Sequence, residues 1–152
     1  MKIRRLGKDD AAAMEELNAL FAEVFEMPDE YVGRWLDRSA LAVRLNDPNI
    51  WVLTAEEADR VIGGLTAYML PKMEAPVSEL FVYDLAVASD RQRQGVGTAI
   101  LEEACKLAGA AGARLAIIEA EPDDAAPLSL YRKLATSEEI AHHFNLPTRR
   151  NG

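Results

Sequence analysis

Asp84 is the one charge in Leu80-Phe81-Val82-Tyr83-Asp84-Leu85-Ala86-Val87, a run otherwise apolar or aromatic. Such a run reads as a strand buried on both faces. An unpaired carboxylate in that setting costs on the order of several kcal/mol. Asp84 must therefore be paired, be neutralised, or open onto a site. Shortly after it, Gln92-Arg93-Gln94-Gly95-Val96-Gly97-Thr98 leads into a helix whose apolar positions, Ile100, Leu101, Ala104, Leu107 and Ala108, form one stripe. A strand, a glycine turn and a helix start aim successive backbone N–H groups at one point, where the helix dipole is positive. That is an anion site, most naturally for phosphate. Gly95 and Gly97 let an oxygen approach the backbone, and Arg91 and Arg93 put charge at the rim. Glycines at such turns often serve no ligand. A strand acid and a phosphate turn in one unit are more specific than either alone.

The elements that position these groups follow from periodicity. Lys2 to Leu6 reads as a first strand, and Asp9 or Asp10 caps a helix with apolar face Met14, Leu17, Leu20, Phe21, Val24 and Phe25. Met27-Pro28-Asp29 ends it. Tyr31 to Leu45 reads as helix in two pieces, broken near Asp37 to Ser39. Ile50 to Ala55 and Val61 to Leu70 are strands about a polar turn, and Gly63-Gly64 suggests a bulge or a close backbone approach. Pro71 closes the second strand before the Asp84 strand, giving an antiparallel meander. Gly112 ends the helix after the glycine turn, and Arg114 to Glu121 returns as a parallel strand. Asp123 to Leu134 is a last helix and Ile140 to Phe144 a last strand. The fold class is α/β with a mixed, mostly antiparallel sheet flanked by helices.

The chain has 152 residues, 49% hydrophobic, which suits a single domain over 1–152. No apolar stretch reaches the roughly 18 residues of a membrane span. The N-terminus lacks the apolar core of a signal peptide, and one cysteine fits a reducing cytoplasm. Seventeen basic against 25 acidic residues, a net charge of −8, argues against nucleic acid and suits a cationic partner. Strand alternation puts Val82, Asp84 and Ala86 on one face. Glu119 and Glu121 share a face near the end of the parallel strand, with Asp123 and Asp124 at the turn beyond. Asp84, Glu119, Glu121 and Asp124 are then expected around one opening, an acidic pocket for a polyamine-like molecule. Hard-cation loops space their ligands more closely, so no metal is expected. For Asp123 or Asp124 a helix N-cap is the plainer role.

Gln92-x-x-Gly95-x-Gly97 after a strand resembles the acetyl-CoA pyrophosphate motif of the GCN5-related N-acetyltransferases. Tyr68-Met69-Leu70-Pro71-Lys72-Met73-Glu74, Ser78-Glu79, Tyr83-Asp84-Leu85-Ala86-Val87 and Leu130-Tyr131-x-Lys133-Leu134 resemble, within that superfamily, the type I aminoglycoside 3-N-acetyltransferases. The resemblance implies acetyl transfer from acetyl-CoA to the 3-amino group of an aminoglycoside, in a cytoplasmic homodimer. It implies Asp84 as general base, with Glu121 the second choice, and Tyr131 as proton donor to the departing thiolate. Coenzyme contacts fall at Leu85, Ala86, Val87, Gln92, Arg93, Gln94, Gly95, Val96, Gly97, Thr98 and Tyr131. Pantetheine would pair with the strand, and an N–H near Leu85 or Val87 would hold the oxyanion. Acceptor contacts fall at Tyr83, Asp84, Glu119, Glu121, Asp124 and Glu79. Phe25, Glu26, Asp29, Glu30 and Tyr31 lie in the early helical region that walls the acceptor site in the superfamily, although a solvated helix face explains the acids.

Departures concentrate on the acceptor side. Ala135 stands where the superfamily has glycine, Ala125 where related enzymes show a second aspartate, and Glu119 and Glu121 replace a Gln and Asp pair. The rival functions are acetylation of a polyamine or peptide amine, and non-catalytic acyl-CoA binding. Cys105, beside the apolar stripe and without a histidine near it in sequence, reads as a small core residue. His142, His143, Trp35 and Trp51 read as structural.

Overall fold

The structure, a computed structural model, describes residues 1–31 and 36–149. It divides into two compact units, Met1–Glu119 and Ala120–Gly152. Trp35 lies outside the described residues.

The first unit is a five-stranded sheet in the order β1-β2-β3-β4-β5, with β1 Lys2–Arg5, β2 Ile50–Glu57, β3 Arg60–Pro71, β4 Ser78–Val87 and β5 Ala113–Ile118. The first four strands are antiparallel neighbours, and β5 joins β4 in parallel. The helices are α1 Ala11–Val24, α2 Pro28–Tyr31, α3 Arg38–Leu45 and α4 Val96–Ala110. This is the α/β fold with a mixed, mostly antiparallel sheet that the periodicity predicts. Ala58 and Asp59, both at positive φ (49° and 59°), make the two-residue turn between β2 and β3. Asp37 caps α3 by accepting from the Ala40 amide at 2.8 Å. Asp10 precedes α1 without a side-chain cap. Its carboxylate instead accepts from the Gly7 amide and pairs with Arg4, both at 2.7 Å.

Two adjacent glycines show how the sheet is covered. A Cβ on Gly64 would lie 2.6 Å from Leu17 of α1, whereas one on Gly63 would meet Ile100 of α4 at 3.1 Å. Neighbouring strand residues point to opposite faces, so α1 and α4 cover opposite sides of β3. Met14, Leu17, Leu20 and Phe21 are buried on the α1 side, and Ile100, Leu101, Ala104 and Ala108 on α4. Both central faces are therefore apolar, as the unbroken strand runs require.

The second unit contains α5, Ala125–Leu134. The predicted strand Ile140–Phe144 does not form. Residues 138–149 carry no regular structure, and Ile140, Phe144 and Leu146 are exposed. Alternation of Ile140, His142 and Phe144 is a strand pattern, but a strand exists only where another edge takes its hydrogen bonds. Trp51 is buried, its indole donating to the Pro48 carbonyl at 3.0 Å with Arg5 stacked on its ring.

Candidate active site

The site begins with an irregularity in β4. Leu85, Ala86 and Val87 pair with Leu65, Gly64 and Gly63, and Asp84 pairs with Thr66. The next pair is Val82 with Ala67, so Tyr83 is an extra residue in a β-bulge. The bulge reverses the alternation expected along this strand. Val82 faces α4 and is buried, whereas Asp84 and Ala86 share the face of Gly64 and α1. Asp84 thus lies on the same side as Phe81 and Tyr68, which pair with each other across β3 and β4. The Tyr83 ring meets Tyr68 edge-on at 6.0 Å and lies 6.4 Å from Phe81. Tyr83 is 67% exposed and Tyr68 41%. A carboxylate beside an open aromatic surface is the result.

Asp84 is half-buried and held by two hydroxyls. Tyr31 donates to Oδ1 at 3.1 Å and Thr66 donates to Oδ2 at 3.4 Å. Burial pushes the Asp84 carboxyl above its ordinary range, the Tyr31 and Thr66 hydrogen bonds pull it back, and the Glu30 carboxylate adds to the rise. Tyr31 is brought there by a tight reversal after α1. Glu26 takes φ 56°, and the Met27 amide donates to the Ala22 carbonyl at 3.0 Å. Pro28 then opens α2, a single turn ending at Tyr31, whose ring packs against Phe21 and Phe25 at 5.4 and 5.7 Å. Sequence reasoning placed Tyr31 among possible acceptor contacts and missed its bond to Asp84. Thr66, Tyr68 and Phe81 were missed as neighbours of the acid.

The glycine turn lies beyond β4. Ala88 ends the strand, a 3-10 turn covers Ser89–Arg91, and Gln92 ties the loop back by donating to the Val87 carbonyl at 3.1 Å. Arg93 and Gly95 both take positive φ (62° and 80°), and Gly95 caps α4. The Ala99 amide closes the first helical bond onto the Gly95 carbonyl at 3.0 Å, so the amides of Val96, Gly97 and Thr98 precede any acceptor within the helix. A Cβ on Gly95 would meet nothing within 4 Å, so the turn faces open space. Such a cradle fits a diphosphate. The Gln94 side chain donates to the Asp90 carbonyl at 3.2 Å, which ties the loop to its own start. Arg91 is not a rim charge. Its guanidinium binds Glu57 at 2.7 Å, because the end of the β2–β3 hairpin offers a carboxylate there. Arg93 is exposed.

Pairing with β5 runs from Ser78 to Val82 and stops, so that from Asp84 to Val87 the described strand pairing of β4 is with β3. The open edge coincides with Leu85, Ala86 and Val87, where an extended ligand can add as a strand. β5 also ends earlier than predicted, at Ile118, so Glu119 and Glu121 lie outside it and no strand alternation aligns them. Glu119 is exposed at the end of the first unit. Glu121, Asp124 and Tyr131 belong to the second unit, where Asp124 takes the N-cap position of α5 without a side-chain cap bond. Burial, then the Asp124 carboxylate, hold the Tyr131 phenol above its ordinary range, which keeps it protonated. Glu79 is buried between Arg114 at 2.7 Å and Lys72 at 3.3 Å, so its charge is neutralised within the fold. Cys105 is exposed on α4, contrary to the core position expected, because it falls one place off the buried stripe at Ala104 and Ala108. His143 is exposed and within 3.0 Å of the Asn145 side chain.

Residues 11–135 match the model of the acetyltransferase (GNAT) family. An aminoglycoside acetyltransferase from an uncultured soil metagenomic sample is 33% identical, with a TM-score of 0.92 over 97% of this chain and 98% of that one. A second such enzyme from soil metagenomic DNA, in complex with sisomicin, is 30% identical with a TM-score of 0.90 over 97% and 96%. The L-2,4-diaminobutyric acid acetyltransferase of Shouchella clausii is 26% identical over 87 residues, 57% of this chain, and the match spans only about half (47%) of that protein.

Proposed function

Because the chain belongs to the GNAT acetyltransferase family, we propose that it acetylates a polycationic small molecule at a primary amine, namely the 3-amino group of an aminoglycoside. The acyl donor of the family is acetyl-CoA. The observation that carries this reading is Asp84, a half-buried carboxylate on the strand whose free edge leads to the Gly95 turn.

In this reading the amides at the start of α4 take the coenzyme diphosphate, and the edge of Leu85 to Val87 aligns the pantetheine. The acceptor amine arrives as an ammonium ion, drawn by the negative charge of the molecule. Asp84 takes its proton, directly or through one water. The freed nitrogen then forms a bond to the thioester carbon, and the carbon–sulfur bond breaks. The second proton that the nitrogen sheds as the amide forms balances the one the departing sulfur takes up to become the thiol. An N–H of Leu85 or Val87 steadies the developing oxyanion. Positioning of the two reactants supplies a large part of the acceleration. The exposed rings of Tyr68 and Tyr83 suit an acceptor with ring faces, which a sugar has and a linear diamine lacks.

A panel assay tests this. Purified protein with acetyl-CoA is given gentamicin, sisomicin, spermidine or 2,4-diaminobutyrate, and free thiol is followed. Release is expected with the aminoglycosides. Release with spermidine or diaminobutyrate alone overturns the acceptor class, and coenzyme binding without release for any amine supports a non-catalytic module instead.

A further inference from the structure

The hydroxyl of Tyr31 has no packing reason to exist. Its ring fills a place beside Phe21 and Phe25 that phenylalanine would fill equally, and only the oxygen reaches Asp84, at 3.1 Å. Thr66 reaches the other carboxylate oxygen from the facing strand. The two oxygens of the acid are thus gripped from two elements, α2 and β3, distant in sequence from each other.

We infer that Tyr31 is a positioning residue for the general base: with Thr66 it fixes the orientation of the Asp84 carboxylate and stabilises its charged form. The inference rests on Asp84 being the base, as proposed above. Among the described residues Tyr31, Thr66 and Glu30 act on Asp84, with Tyr83 beside Tyr31, and the two that hydrogen-bond it are hydroxyls. That choice of donor has a chemical consequence. A guanidinium or ammonium partner would hold the carboxylate so strongly that it would lose its appetite for a proton, whereas neutral hydroxyls orient it and leave it basic. Burial and Glu30 push the acid toward its neutral form, which cannot accept a proton, and the two hydroxyls oppose them. Tyr31 itself stays an O–H donor across the working range, because burial and the Asp84 carboxylate raise its phenol further still.

The test is the pH profile of kcat/KM for sisomicin acetylation by Tyr31→Phe, Thr66→Val and Asp84→Asn, each checked by its melting curve. In Tyr31→Phe the ring packing survives. The acid limb of the profile should move to higher pH, and kcat at neutral pH should fall about tenfold, the scale of a hydrogen bond to a charged group. Thr66→Val should move the limb the same way by less, its bond being longer. An unmoved limb in Tyr31→Phe, with Asp84→Asn inactive, overturns the inference while leaving the base in place. Wild-type rates in Asp84→Asn would remove the base, and the role of Tyr31 with it.

Discussion

Asp84 is a residue whose cost to the fold and value to the chemistry come from one cause. Desolvation raises its pKa, so the folded protein holds the proton more tightly than the unfolded chain does. The sign follows: its contribution is least unfavourable below the ordinary carboxylate range, and stability is lost as pH rises through the raised folded value. Asp84→Asn is therefore expected to raise the Tm at neutral pH while abolishing most activity, with the Tm gain vanishing in acid. Differential scanning calorimetry at neutral and acidic pH checks this, and a lowered Tm at neutral pH contradicts it. Asp84 was legible in the sequence because one charge in an apolar strand demands a reason. Its partner was not, since Tyr31 lies 53 positions away and no local period joins a one-turn helix to a distant strand. Arg91 misled for the opposite reason: a cation beside a glycine turn looks like a ligand contact until the fold supplies Glu57.

At the level of elements, the paired glycines of β3 are what allow helices to sit close on both faces of the sheet. A Cβ on Gly64 would fall 2.6 Å from Leu17 and 2.7 Å from the Leu53 carbonyl, and the backbone oxygen cannot swing aside. Gly64→Ala should cost about 1–3 kcal/mol, the usual scale of overpacking, visible as a Tm lower by several degrees. An unchanged Tm would show that α1 is not packed as described. The strands and α1, α4 and α5 were legible from periodicity, and Gly63-Gly64 from its place inside a strand. The bulge at Tyr83 was not, because its existence depends on register against β3 rather than on β4 alone. Alternation reasoned without it put Val82 beside Asp84, whereas the fold puts Phe81 and Tyr68 there. The early end of β5 had a related origin, since β4 runs on to Val87 but pairs with β5 only as far as Val82, so Glu119 and Glu121 continue the pattern of a strand without pairing.

For the molecule as a whole, several of the 25 acidic residues sit in ion pairs that respond to acid. Arg114 holds Glu79, Arg60 holds Asp90 and Arg132 holds Glu138 below the ordinary carboxylate range. Groups shifted that way stabilise above the unfolded pKa and lose that contribution as pH falls through the folded value. The Tm should hold from neutral pH to about 5 and decline below about 4, gently because two of these three pairs are exposed and contribute little each. A Tm that rose in acid would contradict the pairing. The meander and the parallel crossover were legible in the sequence because each leaves a local pattern, and the acetyltransferase family through the resemblance carried by the turn at residues 92–97 and its neighbouring segments. The C-terminal stretch was not, because Ile140 to Phe144 carries the alternation of a strand but forms none. What joins these scales is a single claim, that the carboxylate of Asp84 takes the proton of an amine presented to a coenzyme held at the Gly95 turn. The direct measurement is kcat for sisomicin acetylation together with acetyl-CoA affinity by calorimetry, for the wild-type protein and Asp84→Asn. A fall in kcat of about 10²–10⁴-fold with unchanged coenzyme affinity is predicted, and wild-type turnover in Asp84→Asn would contradict it.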